Sequence, residues 1–143
     1  MNLFKNISFL ILFFSMGNVN SQDLSSHQWQ DRLLVLLVDD IKDEIYQKQI
    51  SELQQSENGL KDRRLIVYHV KPHTYKKGLY TKQWKKTTID ITNYKKSTSS
   101  FEIILIGLDG GVKLHQSDFL KCEKLFSIID VMPMRRREMR NKK

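Results

Sequence analysis

Four residues have the side-chain types to hold or act on a ligand: the adjacent carboxylates Asp39 and Asp40, and the adjacent guanidinium groups Arg135 and Arg136. Two neighbouring carboxylates can hold a hard cation such as calcium. One of them could instead serve as a general base, provided burial raised its pKa. The structural alternative is that Asp40 caps the following helix, with Asp43 and Glu44 favourable in its first turn, and this is the preferred reading. Arg135 and Arg136 can bind carboxylates or phosphates through two parallel hydrogen bonds. Asp130 or Asp109 would compete with an anionic ligand for them, and internal pairing is preferred.

The remaining chemistry-bearing residues point to less. His69 and His73 bracket Pro72, and their spacing suits a metal pair only on a helix, which the surrounding strand pattern argues against. His27 and His115 lie in other segments. Cys122 is the only cysteine, so neither an internal disulfide nor a Cys-x-x-Cys pair can form. It shares the spacing of one helix face with Leu125, Phe126 and Ile129, which predicts a buried, inert thiol. There is no glycine-rich phosphate loop, and Ser97 to Ser100 lack the context of a Ser-His-Asp nucleophile. No catalytic residue, metal ligand or cofactor is assigned. Arg135, Arg136, Asp39 and Asp40 stand as the candidate ligand-binding residues.

The elements that must position these residues form an α/β pattern. Arg32 to Val38 is an apolar run without alternation, as in a strand covered on both faces. A helix follows from Asp40 to about Gln55, carrying Ile45, Tyr46, Ile50 and Leu53 as an apolar stripe, and Asn58-Gly59 is read as its stop. Leu65 to Val70 is a second strand, which completes a βαβ unit. Residues 71–100 read as an irregular lysine-rich insert with room for a short helix before Thr88 to Ile91. Phe101 to Gly107 is a third strand, Asp109-Gly110 a hairpin turn with positive φ, and Val112 to His115 the return strand. A helix from about Asp118 to Asp130 covers the sheet, and Pro133 prevents its simple continuation. Residues 135–143 read as a basic tail.

The N-terminus reads as a secretory signal peptide over residues 1–21. Lys5 precedes a largely apolar run from Ile7 to Met16, and Val19-Asn20-Ser21 is a small-residue cleavage site. That run is too short to span a bilayer, which needs about 20 apolar residues. The mature chain, residues 22–143, would be exported to the periplasm or beyond the cell. It suits one small domain. The formal charge of the whole chain is +8. Eight lysines and a single acid, Asp90, lie between Lys71 and Lys96, and six basic residues with one acid, Glu138, lie between Arg135 and Lys143. Such surfaces attract polyanions, and export argues against genomic nucleic acid as the partner.

Three stretches resemble one family. They are Trp29-Gln30-Asp31-Arg32-Leu33-Leu34, the hairpin Ile104 to Leu114 with its Asp109-Gly110-Gly111 turn, and the closing run Leu125 to Met139 with Met132-Pro133-Met134-Arg135-Arg136. Together they resemble the family of domain of unknown function 4174, also described as the P-DUDES domain. The resemblance implies a thioredoxin-like, peroxiredoxin-related fold in a small exported protein. It brings no established reaction, cofactor or partner. Thioredoxins and peroxiredoxins keep their working cysteine just after the first strand, at a helix N-terminus that lowers its pKa. This chain has Asp39-Asp40-Ile41-Lys42 there. Ser97 to Ser100 stand where a proline usually precedes the third strand.

The sequence therefore predicts a single thioredoxin-like domain, β-α-β then β-β-α around a mixed central sheet, without redox cysteines. Its expected role is a binding module for an anionic surface or an envelope protein. The alternative is an enzyme or redox-assisting protein using Asp39, Asp40, Arg135 and Arg136. A third reading is an accessory subunit of an envelope complex.

Overall fold

The computed structural model describes residues 24–87 and 94–143. The expected signal peptide and the stretch from Thr88 to Ile91 lie outside these residues. A six-stranded mixed sheet has the order β4-β3-β2-β1-β5-β6. Its centre is β1 (Arg32–Val38), parallel to β2 (Leu65–Val70) and antiparallel to β5 (Phe101–Ile106). Every β1 residue is buried, as its unbroken apolar run requires. Leu34, Leu36 and Val38 enter the core under the helices, with Tyr46, Leu53, Leu125 and Ile129. Leu33, Val35 and Leu37 face the other side of the sheet, with Leu24, Tyr68 and Tyr75. Each such aliphatic side chain contributes roughly 1.5–3 kcal/mol by leaving water.

The helices differ from expectation at their ends. Helix α1 (Glu44–Gln55) is capped by Asp43, whose carboxylate accepts the Tyr46 N–H at 3.0 Å. Asp40 is not the cap. Its carboxylate accepts the Lys42 N–H at 2.9 Å and its carbonyl accepts the Asp43 N–H, closing a turn ahead of the helix. The chain uses that turn to pass from the strand to the helical layer, so the next carboxylate reaches the free N–H groups. Asn58-Gly59 is not a stop, since both residues lie inside α2 (Glu57–Asp62). Gly59 lets α2 approach Phe126: a Cβ there would stand 2.5 Å from the ring.

Helix α3 (Cys122–Asp130) begins later than Asp118. The Gln49 amide holds both the N–H and the carbonyl of buried Leu120, at 2.8 and 2.9 Å, and this pins the approach out of the helix. Glu52 then accepts the Cys122 N–H at 2.9 Å, acting as a cap from another helix. The hairpin joins β5 to β6 (Val112–Gln116), and Gly110 takes φ +81° at its turn.

Residues 71–100 are not wholly irregular. They contain β3 (Thr74–Lys77) and β4 (Lys85–Lys86), which extend the sheet beyond β2. Tyr75 anchors β3 in the second core, while the ammonium groups of Lys71 and Lys76 lie 4.6 and 5.1 Å from the Trp84 ring centroid. Residues 135–143 are likewise not a tail. Pro133 opens α4 (Pro133–Asn141) as its first residue, where a missing N–H costs nothing.

Candidate functional site

The structure does not bring the four candidate residues together. Asp39 and Asp40 are exposed just past the end of β1, and Asp39 pairs with Lys95 at 3.1 Å. Arg135 lies on α4, which docks against the start of the same strand through Glu138 and Arg32. The strand between them is seven residues long, about 20 Å from end to end at the usual strand rise. A joint site of Asp39, Asp40, Arg135 and Arg136 is therefore not formed, because Asp39 and Asp40 follow the end of β1 whereas α4 docks at its start.

At the α4 end, the buried Arg32 and Arg135 join more exposed cations and three carboxylates in a network. Arg135 is 2% exposed. It donates to Asp130 at 3.1 Å, to the Asp62 carbonyl at 2.9 Å, to Glu138 at 3.4 Å and to the Asp62 carboxylate. Arg63 grips Asp130 through two bonds, at 3.0 and 2.7 Å, and lies over the Phe126 ring. Arg32, fully buried, holds both oxygens of Glu138 at 3.2 and 3.3 Å and the Arg63 carbonyl at 2.8 Å. Arg64 adds a bond to Glu138 at 2.8 Å, and Lys142 reaches Asp62. Five cations thus share three carboxylates.

The electrostatics follow from that imbalance. Hydrogen bonds from Lys142 and Arg135 bring the Asp62 carboxyl down to about 2. Burial works to raise Asp130 and Glu138, but their arginine partners outweigh it and both are lowered. Asp109, the other partner considered for the arginines, pairs with Lys113 at 2.8 Å instead. Arg136 takes no part in the network. With Arg137, Arg140 and Lys143 it is exposed, and these four make no ion pair with any described residue.

Other titratable groups are built into the fold. His69 is fully buried. Its Nε2 donates to the Gly78 carbonyl, so in the neutral ring Nδ1 accepts the Tyr46 hydroxyl, both at 2.9 Å. Burial, with Lys76 nearby, lowers its pKa to about 4. His27 bridges Asp31 at 3.0 Å and the Tyr68 hydroxyl at 2.7 Å. Cys122 is buried, and burial pushes its thiol pKa up, opposite to the shift that activates a thiolate. Among the described residues, no group of three or more His, Cys, Asp or Glu side chains could hold a metal ion.

Sequence reasoning overlooked Arg32, Arg63, Lys113 and Glu138. One signal for the first was available, since Arg32 heads an otherwise apolar strand. Another was Glu138, the single acid within a basic segment.

Comparison with known proteins agrees with this architecture. A family model described as "Domain of unknown function (DUF4174)" matches residues 23–138. Among solved structures, the chain is similar to a reduced 2-Cys peroxiredoxin from Plasmodium vivax. The TM-score is 0.54 and the identity 13%, over 80% of this chain and 84% of that one. At that identity the likeness concerns the thioredoxin-like fold. No curated protein matches the sequence.

Proposed function

We propose, from the premise that this chain belongs to the DUF4174 family of domains of unknown function, that it acts as an exported binding module for polyanionic surfaces. The observation that carries this reading is the contrast within α4. Arg135 is spent on internal carboxylates, whereas Arg136, Arg137, Arg140 and Lys143 face solvent without acidic partners among the described residues. The ion-pair network around Arg135 supports α4 as a rigid carrier for these charges, and clustered unpaired cations attract polyanions in a salt-dependent way. The lysines of β4 form a separate surface. Lys85 pairs with Tyr75, which pairs with Val70 at the far end of β2 from α4. Export is read from Lys5, Ile7 to Met16 and Val19-Asn20-Ser21. Among the described residues, no helix is long and apolar enough to cross a membrane.

Retention on heparin resin and sedimentation with phosphatidylglycerol vesicles test the binding, and phosphatidylcholine vesicles serve as the neutral control. Retention should fall as salt rises and should be lost in the R136E/R137E/R140E triple variant, while K85E/K86E retains it. Absence of salt-sensitive retention on either anionic matrix, or equal loss in both variants, would overturn the assignment to α4. Intact-mass analysis of secreted protein tests cleavage after Ser21.

A further inference from the structure

We propose that the cavity between the β5–β6 hairpin and the start of α4 is a binding site for a small carboxylate. The cavity measures about 120 Å³ and is lined by Arg32, Leu108, Lys113, Met132, Pro133 and Met134, among others. This site goes beyond the polyanion-binding face of α4, because it lies beneath the helix start and takes a ligand of different size.

One lining residue, Arg32, carries an unused donor. Arg32 is 0% exposed, and its two terminal nitrogens are taken by Glu138 and the Arg63 carbonyl. Its Nε–H is buried without a hydrogen-bond partner. A guanidinium group is a planar fork with two usable edges. Glu138 occupies the terminal edge, so the edge containing Nε remains for a second planar acceptor. Native proteins rarely leave a buried donor unmade without a reason.

Two further features favour negative charge at the same place. Helix α4 has nine residues and no side-chain cap, with Met132 as its N-cap and Pro133 at its first position. The N–H groups of its first turn therefore have no side-chain cap, and the residues that open the helix, Met132 to Met134, line the cavity. The network to which Arg32 belongs holds five cations against three carboxylates. Asp109 also lines the cavity, but Lys113 neutralises it at 2.8 Å.

The walls narrow the ligand class. Leu108, Met132 and Met134 are apolar, so a carboxylate carrying a short apolar group fits better than phosphate, whose remaining oxygens would meet hydrocarbon. Trp29 stands beside the wall, with its backbone N–H on the Leu108 carbonyl at 2.6 Å and its side chain exposed.

The test is a titration of the nitrogen-15-labelled full chain, following the Arg32 Nε–H resonance. Propionate should shift it saturably, and propionamide, which lacks the charge, should not. A short peptide with a free C-terminus, set against its amidated form, distinguishes a chain terminus from a free acid as the source of the carboxylate. Met134→Trp should fill the cavity and weaken binding about tenfold or more. Arg32→Lys is a harsher variant, because it also breaks the Glu138 contacts. The R136E/R137E/R140E variant should keep the propionate response while losing heparin retention, so the two readings fail separately. An unmoved Nε–H across the titration, or equal responses to propionamide or in Met134→Trp, would overturn the proposal.

Discussion

Glu138 receives both terminal nitrogens of Arg32, at 3.2 and 3.3 Å, across 106 residues of sequence. The contact ties the last helix to the first residue of the central strand. Arg32 is completely buried, so its charge is tolerable only while this carboxylate is present. Arg64 and Arg135 converge on the same group.

Glu138→Gln should therefore destabilise the domain by about 3 kcal/mol, the usual result of leaving a buried charge without its partner. Urea denaturation would measure it. Arg137→Ala, on the solvent side of the same helix, should change stability by no more than about 0.5 kcal/mol. Similar losses in the two variants would contradict the network as described.

His69 sets a pH dependence. Its native pKa is lowered to about 4 from the ordinary 6.5, so between those values the unfolded chain binds a proton that the native state refuses. Stability is complete above pH 6.5, declines as pH falls towards 4, and gains no further penalty from this group below that. The total is about 3 kcal/mol. In His69→Gln the slope in that window should flatten. Asp62 acts lower: with its native pKa at about 2 against the ordinary 3.8, its contribution is present above 3.8 and lost towards 2. Thermal midpoints measured from pH 8 to pH 2 would separate the two windows.

Gly59→Ala should destabilise, although alanine is the better helix former by about 1 kcal/mol. The added Cβ would stand 2.5 Å from the Phe126 ring, so either α3 or the ring must shift. A net loss of about 1 kcal/mol is expected. In a Phe126→Ala background the same change should become stabilising, and a double-mutant cycle would reveal the coupling.

Cys122 should resist thiol reagents in the native protein. It is buried and its thiol pKa is raised, so little thiolate is present and access is closed. Labelling with a chromogenic disulfide reagent should follow local or global opening and become rapid only in denaturant. Rapid labelling under native conditions would contradict this placement.

The strands were legible because their signals are local. The unbroken run of Leu33 to Val38 and the apolar stretch from Phe101 to Ile106 could bury both faces only at the centre of a sheet. Asp109-Gly110 announced the hairpin through a turn whose φ +81° at Gly110 suits glycine. Asp43 rather than Asp40 became the cap because the cap is chosen by the path between layers, which no local pattern specifies. Gly59 was misread for the same kind of reason, since its small size answers a ring 67 residues further on.

The sequence by itself determined a thioredoxin-like sheet with covering helices and a thiol on an apolar helix face, because period and turn chemistry act over a few residues. Only the tertiary structure decided the roles of the charges. It separated Asp39 and Asp40 from the arginines by the length of β1, turned Arg135 inward and left Arg136 outside. It also buried Arg32 beside a cavity with one donor unmade. Ion pairing and desolvation depend on which distant groups meet when α4 folds back on the sheet, and a linear run of basic residues carries no record of that meeting.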